Sequence, residues 1–238
     1  MLAAEAVRLA ALEVLCPTSA LSGAGPYPTL AGDRIFDSRL VGIDDLDAQA
    51  KFTPCLALFT IGSSTAPRGE AAAFYDSAAE CTLEIVAELA VASTDEDGEP
   101  FADAMPADDW DARLVLAALC AQVRRLLQYD ERGHLFRRYA RRIARWEQDT
   151  FAIPQLGARW HRITMRLTVD LADDDFGDGD GLPYPLGDLA ARLPAGSPAA
   201  DKLAVLAAHF MPVERSPLDL VTGEDVETGQ HFSARTTE

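Results

Sequence analysis

Residues 162–171 read RITMRLTVDL, with Ile163, Met165, Leu167, Val169 and Leu171 alternating against Arg162, Thr164, Arg166, Thr168 and Asp170. A period of two is that of a β-strand, so this segment predicts a strand with one face in a core and the other wet or covered by a partner. The run 81–91 repeats the pattern, with Cys81, Leu83, Ile85, Ala87, Leu89 and Val91 against Thr82, Glu84, Val86, Glu88 and Ala90. Glu80, Glu84 and Glu88 would also align on a helix, but the alternation runs longer and β-branched residues favour a strand. Working back toward the N-terminus, 33–43 (DRIFDSRLVGI) and 54–61 (PCLALFTI) are rich in β-branched, aromatic and aliphatic residues and read as strands around an acidic turn, Asp44-Asp45-Leu46-Asp47.

Helical spacing flanks these strands. Leu2, Ala6, Leu9 and Val14 predict an amphipathic N-terminal helix ending at Cys16, because Pro17 disfavours a helical residue before it. Residues 17–32 are a Pro/Gly/Ser-rich connection. After an acidic loop from Asp95 to Asp109, Asp108 is placed as an N-cap, and Leu114, Leu116, Leu119, Val123, Leu126 and Leu127 form the apolar face of a helix running to Tyr129. Gly133 permits a break, and Leu135, Tyr139, Ile143 and Trp146 then predict a second helix over 135–149, with Arg137, Arg138, Arg141, Arg142 and Arg145 around it. Beyond Ala172 the composition shifts to DDDFGDGDGLPYPLG, the expected boundary between a core of residues 1–172 and an acidic hinge with a C-terminal extension, 173–238. Ser197-Pro198 marks a helix start, with Lys202–Phe210 helical and the chain after Pro212 irregular and partly mobile. The fold class expected is α/β in the α+β sense: a mixed or mainly antiparallel sheet flanked by helices, with an Arg-rich helical insertion at about 130–160.

With 238 residues and 48% apolar content the chain can bury a sizeable core. No run approaches the roughly 18 consecutive apolar residues of a membrane-spanning helix, so a soluble protein with no membrane partner is expected. Met1–Leu15 lacks a basic leader region, which argues against a signal peptide. Cys16, Cys55, Cys81 and Cys120 lie far apart, without C-x-x-C or zinc-ligand spacing, and read as reduced core thiols of a protein assembled in the cytoplasm.

The net charge of −17 opposes free-standing DNA binding. Yet residues 124–166 hold eleven arginines against four carboxylates, a local +7 that leaves −24 for the rest. Such asymmetry suits subunits whose basic face meets an acidic one on a neighbour.

Sites for small molecules find little support. The aspartates of 173–180 miss the EF-hand spacing and read as a solvated loop. Gly23-Ala24-Gly25 lacks a dinucleotide fingerprint, and Ser63 and Ser64 lack a nucleophile elbow. His134, His161, His209 and His231 are isolated, with packing or surface roles expected. No catalytic, cofactor-binding or metal-ligating residue is therefore assigned. The arginines 137, 138, 141, 142 and 145 are the candidate partner interface, open to three readings: an acidic protein partner, a solvated face or nucleic acid.

The order of elements, with DRIFDSRLVGIDDLD, FTPCLALFT, LEIVAELAVA, DWDARLVLAALCAQVRRLL and ITMRLTVDL in sequence, resembles phage tail-terminator (minor tail) proteins of the lambda type over residues 1–172. That resemblance implies a sheet flanked by helices and a non-enzymatic virion protein. It also implies a homohexameric ring that caps the tail tube, touches the tail tube protein and a neck or head-completion protein, and lies close to packaged DNA. A neck or head-completion adaptor, or an enzyme with dispersed catalytic carboxylates, are the alternatives. Two departures accompany the match: the Arg-rich excursion at 130–160 and the extension 173–238.

Overall fold

The computed structural model describes residues 1–47, 50–71, 73, 76–94, 97–105, 110–153, 158–176, 181–210, 221–224 and 231–234. Along the chain run α1 (Leu2–Leu15), α2 (Thr18–Leu21), β1 (Ile35–Asp37), β2 (Thr53–Pro67), β3 (Ser77–Thr94), β4 (Pro100–Ala104), α3 (Trp110–Gln128), α4 (His134–Tyr139), β5 (Arg142–Ile153), β6 (Ala158–Leu171), α5 (Leu186–Arg192), α6 (Pro198–Ala207), β7 (Val221–Glu224) and β8 (His231–Ala234). The fold is α+β. Six strands form one mixed sheet in the order β1-β2-β3-β6-β5, with β4 also on β3. β1 runs parallel to β2, and the other pairings are antiparallel. β7 and β8 make a separate hairpin.

β3 is the organising strand. It pairs with β2 from Ser77 to Ala90, with β6 from Ala79 to Glu88 and with β4 from Ala90 to Thr94. Its odd-numbered residues from Cys81 to Leu89 are buried, as the alternation predicts, and so are Ile163, Met165, Leu167, Val169 and Leu171 of β6. These side chains meet α1, α3, α4 and α5, which cover one face of the sheet. Ala3, Ala4, Ala6, Ala10 and Ala11 are all buried, so α1 lies close against its neighbours on small side chains.

The opposite face is treated differently. At its β1–β2–β3 end, Phe36, Cys55, Ala57, Val86 and Ala90 form a second, smaller core with Val41, Leu46 and Phe59. Residues 38–47 supply the cover as a flap, pinned where Arg39 forks onto the Asp45 carboxylate at 2.6 and 3.0 Å. Farther across, the face is a ladder of charges. Arg162 donates to the buried Glu88 at 2.6 Å, and Arg166 bridges Glu84 and Asp149 at 2.9 Å each.

Three expectations need correcting. The strand expected over 33–43 is only Ile35–Asp37, because Ser38 adopts φ +56° and turns the chain into the flap. The acidic loop at 95–109 contains β4, whose PFADA sequence has little intrinsic strand preference and is held by pairing with β3; the proposed Asp108 cap lies outside the described residues. The helix over 135–149 is the largest miss. Only His134–Tyr139 is helical, and Arg142 onward is β5, paired with β6 through two register shifts. Trp146, Gln148 and Thr150 lie opposite Leu167, Met165 and Ile163, a period of two hidden by the shift between Ile143 and Arg145. Leu135, Tyr139, Ile143 and Trp146 fall on a helical spacing by coincidence.

Elsewhere, residues 17–32 include the single turn α2, and α6 starts with Ser197 at the N-cap and Pro198 in its first turn, as expected. Much of the chain after Pro212 lies outside the described residues, apart from the β7–β8 hairpin. Leu186, Leu189, Leu193 and Leu203 join the same core as α1. The acidic stretch also reaches back to the N-terminus: the Asp174 carboxylate accepts from the backbone N–H of Leu2 at 2.9 Å and of Ala3 at 2.6 Å. An anion there satisfies orphan donors and complements the helix dipole. Asp174→Ala is expected to destabilise the protein by about 1–2 kcal/mol, seen as a lower urea midpoint; an unchanged midpoint would show that α1 is not anchored this way.

Candidate functional site

The five arginines of the expected interface do not share a helix face. Arg137 turns inward, donating to the carbonyls of Leu127 at 3.1 Å and Asp130 at 2.8 Å, and so satisfies the end of α3. Arg138 binds Asp188 at 2.8 Å and Arg142 binds Asp170 at 2.7 Å. Arg145 lies 3.5 Å from Glu147 on the exposed outer face of β5. Arg141 is exposed, and its side chain has no partner among the described residues. The like-charge repulsion that helical spacing would impose on 137/141, 138/142 and 141/145 is therefore absent. Two of the five, Arg141 and Arg145, are left available to a partner.

Asp188 holds Arg138 within a wider cluster. It accepts from Arg192 at 2.9 Å, Arg138 at 2.8 Å and the Tyr139 hydroxyl at 2.9 Å, tying α5 to α4. The Arg192 guanidinium, then that of Arg138, holds its carboxyl well below the usual carboxylate range, against the opposing effect of burial. A carboxylate depressed in the folded state stabilises above its unfolded pKa, about 3.9, and loses that contribution as pH falls below it.

A second locus is a groove of about 400 Å³ between α1, α6 and residues 33–37. Leu9, Leu12, Leu203 and Leu206 are among its apolar walls. Arg8 lies nine-tenths buried in it, held by Glu5 and Asp37. The charged lining comprises Glu5, Glu13, Asp33 and Asp37 against Arg8 and Lys202, net −2. Sequence reasoning missed this groove, since it forms only where α5, packed on α1, carries α6 opposite it.

The charge asymmetry acquires a geometry here. β5 is an edge strand, and α3 leans over it, with Arg113 reaching Thr150 and Arg124 lying 5.6 Å from the Trp146 ring. At the opposite edge, residues 33–47 carry five aspartates against Arg34 and Arg39, net −3. At the β5 end, β5 with Arg141 before it carries three arginines against Glu147 and Asp149, and α3 above carries Arg113, Arg124 and Arg125 against Asp111, together net +3, so a modestly basic and a modestly acidic segment flank opposite ends of one sheet.

Chemical groups are sparse. All four cysteines are buried free thiols. Burial pushes Cys16 and Cys120 up to about 11 and Cys55 and Cys81 up to about 12, which leaves little thiolate near neutral pH. His161 is buried among packed residues, and its ring nitrogens have no hydrogen-bond partner among the described residues. Asp173 accepts from the hydroxyls of Thr65, at 2.7 Å, and Ser77, tying the two strands together at the loop end of the β2–β3 hairpin. Residues 177–180 of the acidic stretch lie outside the described residues. Among the described residues no group of three or more His, Cys, Asp or Glu side chains could hold a metal ion, and no helix is long and apolar enough to cross a membrane. No protein-family model matches the chain, and no curated protein is significantly similar to it.

Asp188→Asn should lower the melting temperature at neutral pH and flatten the loss of stability between about pH 5 and pH 2 relative to the parent chain. Parallel pH profiles for the two proteins would remove Asp188 from the account.

Proposed function

We propose that the protein is a structural subunit of a long-tailed phage particle, one that closes the tail tube as a homo-oligomeric ring and forms part of the joint to the neck. The observation that carries this reading is the placement of basic and acidic segments at opposite ends of one sheet. A subunit with two different, complementary ends associates head to tail, and such contacts close into a ring when the rotation between copies permits. The mixed sheet with helices on one face agrees with what the resemblance to tail terminators implies. On this reading the partners are a second copy at each end, with the charged outer sheet face left for the tube or neck. The tail tube protein and a neck or head-completion protein are the partners this reading names.

Particles assembled without the protein are expected to show tails of uncontrolled length or tails unjoined to heads in electron micrographs; normal infectious particles would end the reading. In the complete particle, Arg141→Glu combined with Arg145→Glu should leave the fold intact, since neither side chain anchors the core, and should impair joining. Normal joining by that double variant, with an unchanged melting temperature, would return those arginines to the role of a solvated face.

A further inference from the structure

The outward face of α3 is mostly apolar, and its pattern is self-complementary. The fold fixes its two flanks: Gln122 accepts from the Leu30 backbone N–H on one side, and Arg113 and Arg124 lean toward β5 on the other. Between them, at the spacing of one helix face, lie Trp110, Leu114, Ala117, Ala118, Ala121 and Arg125. Trp110 is 74% exposed and Leu114 60% exposed, two large apolar side chains left in water one turn apart. The three alanines that follow are exposed too, so a second helix can approach closely along the middle of the face.

Charge changes sign from one end of this helix to the other. In the sequence, residues 108–113 hold three aspartates against Arg113, net −2, whereas 124–132 hold three arginines against Asp130 and Glu131, net +1. Neither Arg124 nor Arg125 has a carboxylate of its own among the described residues. Asp130 lies 3.9 Å from Arg125 but is already forked by Arg132 at 2.8 and 2.9 Å, and Arg124 donates to the neutral Gln128. A second α3 laid parallel would set like ends together, and one laid antiparallel sets acidic against basic. The apolar residues have the same symmetry. Reversal about the point between Ala117 and Ala118 exchanges Trp110 with Arg125 and Leu114 with Ala121, so each large side chain meets a small one or a cation.

We propose that two copies of this chain pair through α3 in antiparallel, about a two-fold axis that passes beside Ala117 and Ala118. Trp110 of each copy then lies over Ala121 of the other with Arg124 and Arg125 on either side, an indole against guanidinium groups. Asp111 comes opposite Arg125 of the second copy. The contact is isologous. It uses the helical layer and so goes beyond the ring reading, whose head-to-tail contacts use the two ends of the sheet. The 19 residues of α3 span only about 28 Å. That footprint is at the low end for a specific complex, so the pair is a weak one, with a Kd of roughly 10–100 µM.

The test adds one cysteine to the full chain beside the axis, Ala118→Cys, an exposed position in a protein whose native thiols are buried. At about 200 µM, above the expected Kd, a short bismaleimide should give covalent dimers. Val205→Cys, exposed on α6, should give about tenfold fewer, and adding Trp110→Ala to Ala118→Cys should cut the yield as much with an unchanged circular dichroism spectrum. In sedimentation, Arg125→Asp should weaken the pair and Asp111→Arg in the same chain should restore it, because the swap exchanges the two sides of one contact. Dimers from Ala118→Cys no more abundant than from Val205→Cys would overturn the proposal. So would dimers indifferent to Trp110→Ala in a folded chain, or a folded charge-swapped chain that stays monomeric. Arg141→Glu with Arg145→Glu should leave this dimer unchanged. Its loss in that variant would move the contact to the sheet end, which overturns the α3 assignment and leaves the ring reading standing.

Discussion

The pairing of β3 with three other strands is the constraint on which the rest of the structure depends. β2, β6 and β4 take their register from it, and through β6 so does β5. Between Ile85 and Ala90 it is buried on both faces, which forces Glu88 into the interior. A carboxylate there is tolerable only with a charged partner, and Arg162 of β6 provides one at 2.6 Å. The pair therefore does more to fix register than to add stability. A slip of one residue would separate Glu88 from Arg162 and send the leucines of both strands to the wrong face.

That register sets the distribution of charge. Because β6 follows β5 in a long hairpin and pairs with β3, the arginine-rich segment is carried to one end of the sheet. Because β1 joins β2 in parallel, the aspartates of 33–47 are carried to the other. Much of the arginine content is then consumed internally: Arg137 closes α3, Arg138 joins α5 through Asp188, and Arg162 and Arg166 bind the β3 glutamates. What reaches the surface for partners is narrower than the sequence suggests, namely Arg141 just before β5, Arg145 on it, and Arg113, Arg124 and Arg125 of α3.

The elements whose side chains face a single core were legible in the sequence. β6, α1 and α3 each declare their period because one face meets water or charge and the other meets leucine or alanine, and β3 does so up to Ile85, beyond which both of its faces are buried. β5 was not legible, since a bulge shifts its alternation by one residue and an edge strand has little apolar pattern to lose. β4 was invisible for a related reason: its backbone pairing with β3, not its side chains, makes it a strand. The candidate site was legible in charge and not in place. Composition located the arginines, but no local pattern could tell Arg137, folded back on α3, from Arg141, which faces solvent. The groove depends on α6 returning to α1 across nearly two hundred residues of sequence, and no spacing rule reports such a meeting.

The central claim is that copies of this chain associate through opposite charges held at the two ends of one sheet. Its most direct measurement is self-association by sedimentation equilibrium as ionic strength rises from about 0.05 M to about 0.5 M, over which the Debye length shrinks severalfold. The account predicts association that weakens steadily with salt, because the complementary charges lie at exposed edges. Association that is indifferent to salt or strengthened by it would contradict the account and point to a contact built on apolar burial alone.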